Sequence, residues 1–233
     1  MTDGEKIVYR HEFKYFISSA ELGILKYRIG AVMQRDPHAG EAGRYNVRSL
    51  YFDDCRDRCF YDNENGVDPR AKYRIRIYDR SADFISLELK IKENGMTRKL
   101  SCRLTKEEAG RLMEGKCPDA LSGRPRIIQG LCADMLTNGM RPKIIVDYDR
   151  YPFVYRDGNV RVTFDTSVSS SADVASFFDG TVAKRPVLPA GLQLLEVKYD
   201  EFLPDVIYRA LGLDDLRRTA FSKYYLCRKY SIK

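Results

Sequence analysis

Four stretches of this chain alternate apolar and charged residues so strictly that each reads as a β-strand with one apolar face and one ionic face. In Tyr73-Arg-Ile-Arg-Ile-Tyr78, Arg74 and Arg76 share one side and Ile75 and Ile77 the other. In Ile85-Ser-Leu-Glu-Leu-Lys-Ile-Lys92, Glu88, Lys90 and Lys92 oppose Ile85, Leu87, Leu89 and Ile91. Near the start Arg10, Glu12 and Lys14 oppose Phe13 and Tyr15, and near the end Glu196 and Lys198 oppose Leu195 and Val197. Three of the four carry Glu-x-Lys. With a strand period of two, each Glu and its Lys point the same way, roughly 6.5–7 Å apart.

One such strand would be read as a solvated outer face with weak cross-strand ion pairs. Four of them are read differently because of the helices. Alternation also predicts strands at Arg44–Phe52, Met96–Arg103, Lys143–Tyr151 and Val160–Asp165, so with Ile7–Tyr15, Lys72–Asp79, Phe84–Lys92 and Leu192–Tyr199 there are eight. Helical spacing appears at Ser18–Gln34, Thr105–Gly115, Ile127–Asn138, Pro204–Leu211 and after Ser222, with capping sequences at Ser18 to Glu21 and Thr105 to Glu108. Ser167–Pro189 reads as a long connection. Amphipathic helices need an apolar surface to cover, and the strands' apolar faces supply it. The ionic faces then turn inward. The expectation is an α+β chain of one domain, 1–233: a closed eight-stranded antiparallel β-barrel clad by outer α-helices.

Buried cations in so small an interior require a counter-anion, since an unpaired buried charge costs several kcal/mol. A polyanion fits, and carboxylates among the cations suit Mg²⁺ or Mn²⁺, which take one or two carboxylates plus phosphate oxygens and water. The net charge of +7 agrees with an anionic partner. A nucleic-acid binder would instead carry an exposed basic patch with stacking aromatics, which this pattern lacks. The six cysteines form no CxxC pair, the start has no apolar leader, and no apolar run approaches the roughly 20 residues of a membrane span. A cytoplasmic protein without direct membrane insertion is expected.

His11-Glu-Phe-Lys-Tyr15, Val47-Arg-Ser-Leu-Tyr-Phe-Asp53, Tyr73-Arg-Ile-Arg76, Leu87-Glu-Leu-Lys90, Tyr148-Asp-Arg150, Leu195-Glu-Val-Lys198 and Phe221-Ser-Lys-Tyr224, in this order, resemble the VTC domain. That domain is the polyphosphate-polymerase branch of the triphosphate tunnel metalloenzymes. The resemblance implies transfer of the γ-phosphoryl group of ATP, or another nucleoside triphosphate, to inorganic polyphosphate with Mn²⁺ or Mg²⁺. It implies Lys14, Arg74, Arg76, Lys90, Arg150, Lys198 and Lys223 as phosphate ligands, with Lys99 a further candidate, and Glu196 as metal ligand. Lys14, Arg74, Arg76, Lys90, Lys198 and Glu196 would be catalytic, and Glu12 and Glu88 are further carboxylates for the metal.

The hydrolytic branch of that superfamily begins with Glu-x-Glu-x-Lys, and here Arg10 stands at its first position. This favours transfer to an anionic phosphate, which needs no general base, over transfer to water. The alternatives are a metal-dependent tripolyphosphatase or nucleoside triphosphatase, and a non-catalytic polyphosphate-binding module. Some relatives are fused to membrane segments; any membrane association of this chain would come through a membrane-protein partner.

Overall fold

Each ionic strand found in the sequence lies in one antiparallel sheet. The computed structural model describes residues 9–231, so Ile7 and Val8 of the expected first strand lie outside the described residues. The strands are β1 (His11–Ser18), β2 (Gln34–Arg35), β3 (Tyr45–Asp53), β4 (Arg70–Tyr78), β5 (Ser81–Glu93), β6 (Met96–Leu104), β7 (Arg141–Tyr155), β8 (Val160–Ser171), β9 (Arg185–Pro186) and β10 (Leu192–Tyr199). The eight long strands follow the order β1-β10-β8-β7-β3-β4-β5-β6, with β2 on β7 and β9 on β8.

The expected closed barrel is an open, curled sheet instead. Its two edge strands meet at one backbone bridge, where Arg10 and Thr97 exchange N–H to carbonyl bonds of 3.0 and 3.1 Å. The physical reason lies in the C-terminal segment. Thr219 N–H donates to the Lys14 carbonyl at 2.8 Å and Arg218 bridges Tyr15, so this segment occupies the β1 edge that β6 would need for closure.

Six α-helices accompany the sheet: α1 (Ser19–Gly30), α2 (Arg58–Glu64), α3 (Lys106–Met113), α4 (Arg126–Thr137), α5 (Asp205–Leu211) and α6 (Lys223–Lys229). The capping boxes Ser18/Glu21 and Thr105/Glu108 open α1 and α3 as read from the sequence. On the convex face, α1 and α5 set Leu25, Ile29 and Ile207 on Val162, Phe164, Leu195 and Val197. Also there, α3 and α4 set Leu112, Leu131 and Met135 on Ile75, Ile77 and Leu87.

Two helices lie inside the curl: α6, expected as outer cladding, and α2, which was not expected from the sequence. Tyr224 and Cys227 of α6, with Cys59 and Phe60 of α2, pack on the concave face against Val47, Tyr51, Ile144, Val146 and Tyr148. The cause is compositional. Every residue of β3 is buried, and Val47 and Tyr51 of β3 with Ile144, Val146 and Tyr148 of β7 give that half of the concave face an apolar surface that also needs cover. The interior is therefore half apolar core and half ionic.

The expected connection Ser167–Pro189 is more ordered than its composition implied. Strand β8 continues to Ser171, and a 3₁₀ turn at Val174–Phe178 and strand β9 follow. Arg48, which is 1% exposed, ties this segment down. It donates to Asp147 at 2.9 Å and to the carbonyls of Phe177 and Asp179 at 3.1 and 2.5 Å. Among the described residues no helix is long and apolar enough to cross a membrane.

Candidate functional site

The ionic half of the concave face encloses a cavity of about 410 Å³, lined among the described residues by eleven Lys or Arg side chains but only two carboxylates, Glu12 and Glu196. Strand pairing puts them there. Glu12 faces Lys198 and Lys14 faces Glu196 across β1 and β10, so each Glu-x-Lys of one strand meets that of the other in inverted order. Arg74 faces Glu88 across β4 and β5, and Arg150 faces Asp165 across β7 and β8.

The carboxylates divide by where they sit. Glu88 and Asp165 lie behind the cavity wall and hold its arginines. Glu88 contacts Arg74 at 2.5 Å, Arg76 at 3.6 Å and Lys99 at 3.2 Å. Asp165 accepts a bidentate pair from Arg150 at 2.7 and 2.8 Å and contacts Lys223 at 2.6 Å. Glu12 and Glu196 face the cavity. Glu12 lies 2.6 Å from Lys14 and 2.7 Å from Lys90. Glu196 lies 3.1 Å from Lys198, 3.5 Å from Arg150 and 3.8 Å from Lys223.

Ionisation follows from this packing. Burial opposes charge on Glu12 and Glu196, yet Lys14 and Lys90 around the first and Lys198 and Lys223 around the second outweigh it. Both carboxyls stay well below the ordinary range. Burial likewise opposes charge on Lys223, but Asp165 and Glu196 hold its pKa above normal. Four other lysines of the cavity go the opposite way, and among them burial lowers Lys92 and Lys198. Burial pushes Lys90 down to about 7 and Lys72, which lacks a carboxylate partner among the described residues, down to about 8.

Of the residues singled out in the sequence, Lys14, Arg74, Arg76, Lys90, Arg150, Lys198, Lys223, Glu12 and Glu196 all line this cavity. Glu88 and Lys99 do not. Glu88 is 1% exposed with both oxygens engaged by cations, and Lys99, exposed at the surface, is one of its partners. Arg10 turns away from the cavity to Asp200 at 2.6 Å and the Asn159 carbonyl at 3.1 Å. His11 stacks on Tyr199, and Asp149 pairs with Arg44.

Sequence reasoning missed Asp165, Tyr51, Tyr148, Arg70 and Lys72. Tyr51 accepts from Arg74 at 2.8 Å, and Tyr148 lies beneath Arg150 and Lys223, whose charges sit 5.2 and 4.9 Å from its ring centroid. The signal for Lys72 was present, since it stands two residues before Arg74 on the same face.

The donor set fits a hard divalent cation. Glu12 and Glu196 project into one cavity from adjacent strands, diagonal to each other in the pairing. Among the described residues no group of three or more His, Cys, Asp and Glu is assembled to hold a metal. Two carboxylates leave most of an octahedral shell to phosphate oxygens and water, as Mg²⁺ and Mn²⁺ accept.

Two solved structures share the fold. A protein from Hippeastrum, named as an adenylyl cyclase and described as having a dominant triphosphatase activity, aligns with a TM-score of 0.52 at 11% identity over 97% of both chains. The PH1819 protein of Pyrococcus horikoshii OT3 aligns with a TM-score of 0.50 at 14% identity, over 95% of this chain and 99% of the other. No curated protein matches the sequence. The VTC domain profile matches residues 9–232, spanning nearly the whole chain and every strand of the ionic cavity, and the chain therefore belongs to the VTC domain family.

Proposed function

We propose that the chain is a metal-dependent polyphosphate polymerase, which transfers the γ-phosphoryl group of ATP to the end of an inorganic polyphosphate chain. The observation that carries this reading is the cavity with eleven cationic side chains and two carboxylates. Phosphoryl transfer is catalysed chiefly by positioning and by charge neutralisation. Arg74 and Arg76, braced from behind by Glu88, present guanidinium groups to phosphate oxygens, while Lys14, Lys198 and Lys223 act as point charges.

Glu12 and Glu196 would hold a divalent ion, which would supply neutralisation of the negative charge of the transferring phosphoryl group. The acceptor's terminal oxygen is already anionic, so no base is required of the protein. The side chain of Arg10 is committed to Asp200, so β1 offers the cavity one carboxylate, Glu12. That supports transfer to phosphate over activation of water.

The test is incubation with ATP and Mn²⁺, with phosphate products resolved on a gel and free orthophosphate assayed in parallel. Long chains are expected. Orthophosphate without chains would move the protein to hydrolysis, and tight triphosphate binding without either product would make it a binding module.

Binding itself should be proton-linked. Lys90 has a folded pKa of about 7, so at pH 8.5 it is largely neutral. A bound polyanion raises it, and a proton is taken up. Calorimetric titration with tripolyphosphate at pH 8.5, in two buffers of different ionisation enthalpy, should give different apparent enthalpies. Equal enthalpies would show that Lys90 does not meet the anion.

A further inference from the structure

Ten of the eleven cations of the cavity fall into two groups that the family motifs do not distinguish; the eleventh, Arg218, is exposed and sits 3.5 Å from the Phe13 ring centroid. Deep in the cavity every cation has a carboxylate within ion-pair distance, on Glu12, Glu88, Asp165 or Glu196. Toward the β5–β6 hairpin the pattern changes. Arg70, Lys72 and Lys92 line the same cavity, yet among the described residues none forms an ion pair. Lys72 donates to Asn63 Oδ1 at 3.0 Å and lies 5.0 Å from the Tyr224 ring centroid, and Arg70 donates to the Val67 carbonyl at 2.8 Å.

The strand register sharpens the contrast. Arg74 faces Glu88, but two residues on Lys72 faces Lys90, and two further Arg70 faces Lys92. Like charges directly opposite on a sheet are destabilising, and here two such pairs stand in succession. Exposure rises along the same line, from buried Arg76 and Glu88 through half-buried Lys72, Lys90 and Lys92 to exposed Asn94 and Gly95 at the hairpin tip. This end is the mouth. From Arg74 to Arg70 the strand runs about 13 Å, room for several more phosphoryl units in a row.

We propose that Arg70, Lys72 and Lys92 form an outer anion track, which engages the phosphoryl units of a linear polyphosphate beyond those held between Glu12, Glu196 and the inner cations. The track makes the protein select for chain length. This rests on the anion-cavity reading given above and adds to it which residues read length. A short triphosphate fills the inner group and leaves Arg70, Lys72 and Lys92 unneutralised. A longer chain neutralises all three.

The experiment compares tripolyphosphate with a linear polyphosphate of tens of units. Binding to the wild type and to the Lys72→Gln/Lys92→Gln double variant is measured by calorimetry across a salt series. The variant is expected to lose about tenfold in affinity for the long chain and less than about twofold for tripolyphosphate. Its log–log salt slope for the long chain should be shallower by about 1.4, from two lost phosphate contacts. Its melting temperature without ligand should not fall, because each removed charge faced another cation.

Arg70→Gln alone should show the same selective loss, which covers the case in which the double variant fails to fold. Equal losses for both ligands, or no loss for either, would overturn the track and leave the inner site standing. A wild-type protein that binds neither ligand would overturn the anion-cavity reading and the track with it.

Discussion

Glu196→Gln is expected to lower phosphoryl transfer at least about 100-fold, or about 2.7 kcal/mol of barrier, while triphosphate binding stays equal or tightens. The two effects separate because Glu196 meets the cavity in two ways. It is one of two carboxylates available to a divalent ion, and it also offsets Lys198, Arg150 and Lys223, at 3.1, 3.5 and 3.8 Å. The amide keeps the volume and removes the charge. Metal holding is lost, and three cations become freer to attract the substrate's phosphates. Turnover and equilibrium binding of tripolyphosphate, each with and without Mn²⁺, check this, with a thermal melt to confirm folding. Parallel losses of binding and turnover would recast Glu196 as an organiser of the cations, and undiminished turnover would remove it from the reaction centre.

The ionic faces were legible because the information is local. A two-residue period fixes that Arg74 and Arg76, or Glu196 and Lys198, point the same way, whatever their neighbours. Which face turned inward was also legible, since amphipathic helices α1, α3 and α4 demanded an apolar surface. What the chain did not disclose depends on register. The pairing of β3 with β7 shifts at Tyr51/Phe52, and that of β7 with β8 at Asp147/Asp149. The meeting of Arg150 with Asp165 follows from a bulge that no alternation pattern records.

Helix α2 was hidden for a related reason. The N–H of its first residue, Arg58, is taken by Asp54 at 2.9 Å, and those of Cys59 and Phe60 by Asp53 at the end of β3, at 2.8 and 3.1 Å. Asp57, its own N-cap residue, makes no side-chain capping bond. Asp53 also accepts from the Tyr224 hydroxyl of α6. One buried carboxylate thus joins both concave-face helices, and α6 is the element that carries Lys223 into the cavity. The open seam is likewise a tertiary outcome, decided by Thr219 taking the Lys14 carbonyl that β6 would otherwise have bonded.

Asp165 is where fold and site depend on the same group, and Asp165→Asn is expected to destabilise the protein by about 3–5 kcal/mol at pH 7. The side chain is fully buried and holds Arg150 through two bonds and Lys223 through a 2.6 Å contact. The amide leaves two buried cations sharing only the more distant Glu196. Burial opposes ionisation of Asp165, but Arg150 and Lys223 outweigh it and keep its folded pKa below the unfolded value. Its stabilisation is therefore present above the ordinary carboxylate pKa of about 4 and is lost as pH falls through the folded value. Urea unfolding at pH 7 and at about pH 3 should show a large gap between variant and wild type at neutral pH, and a smaller one in acid. A gap under about 1 kcal/mol at pH 7, or one that does not shrink on acidification, would mean that the pair is not carried by this charge. Tripolyphosphate at neutral pH should narrow the gap, because a bound anion supplies Arg150 and Lys223 with the negative charge the variant has lost, and ligand that binds only the folded state raises its stability.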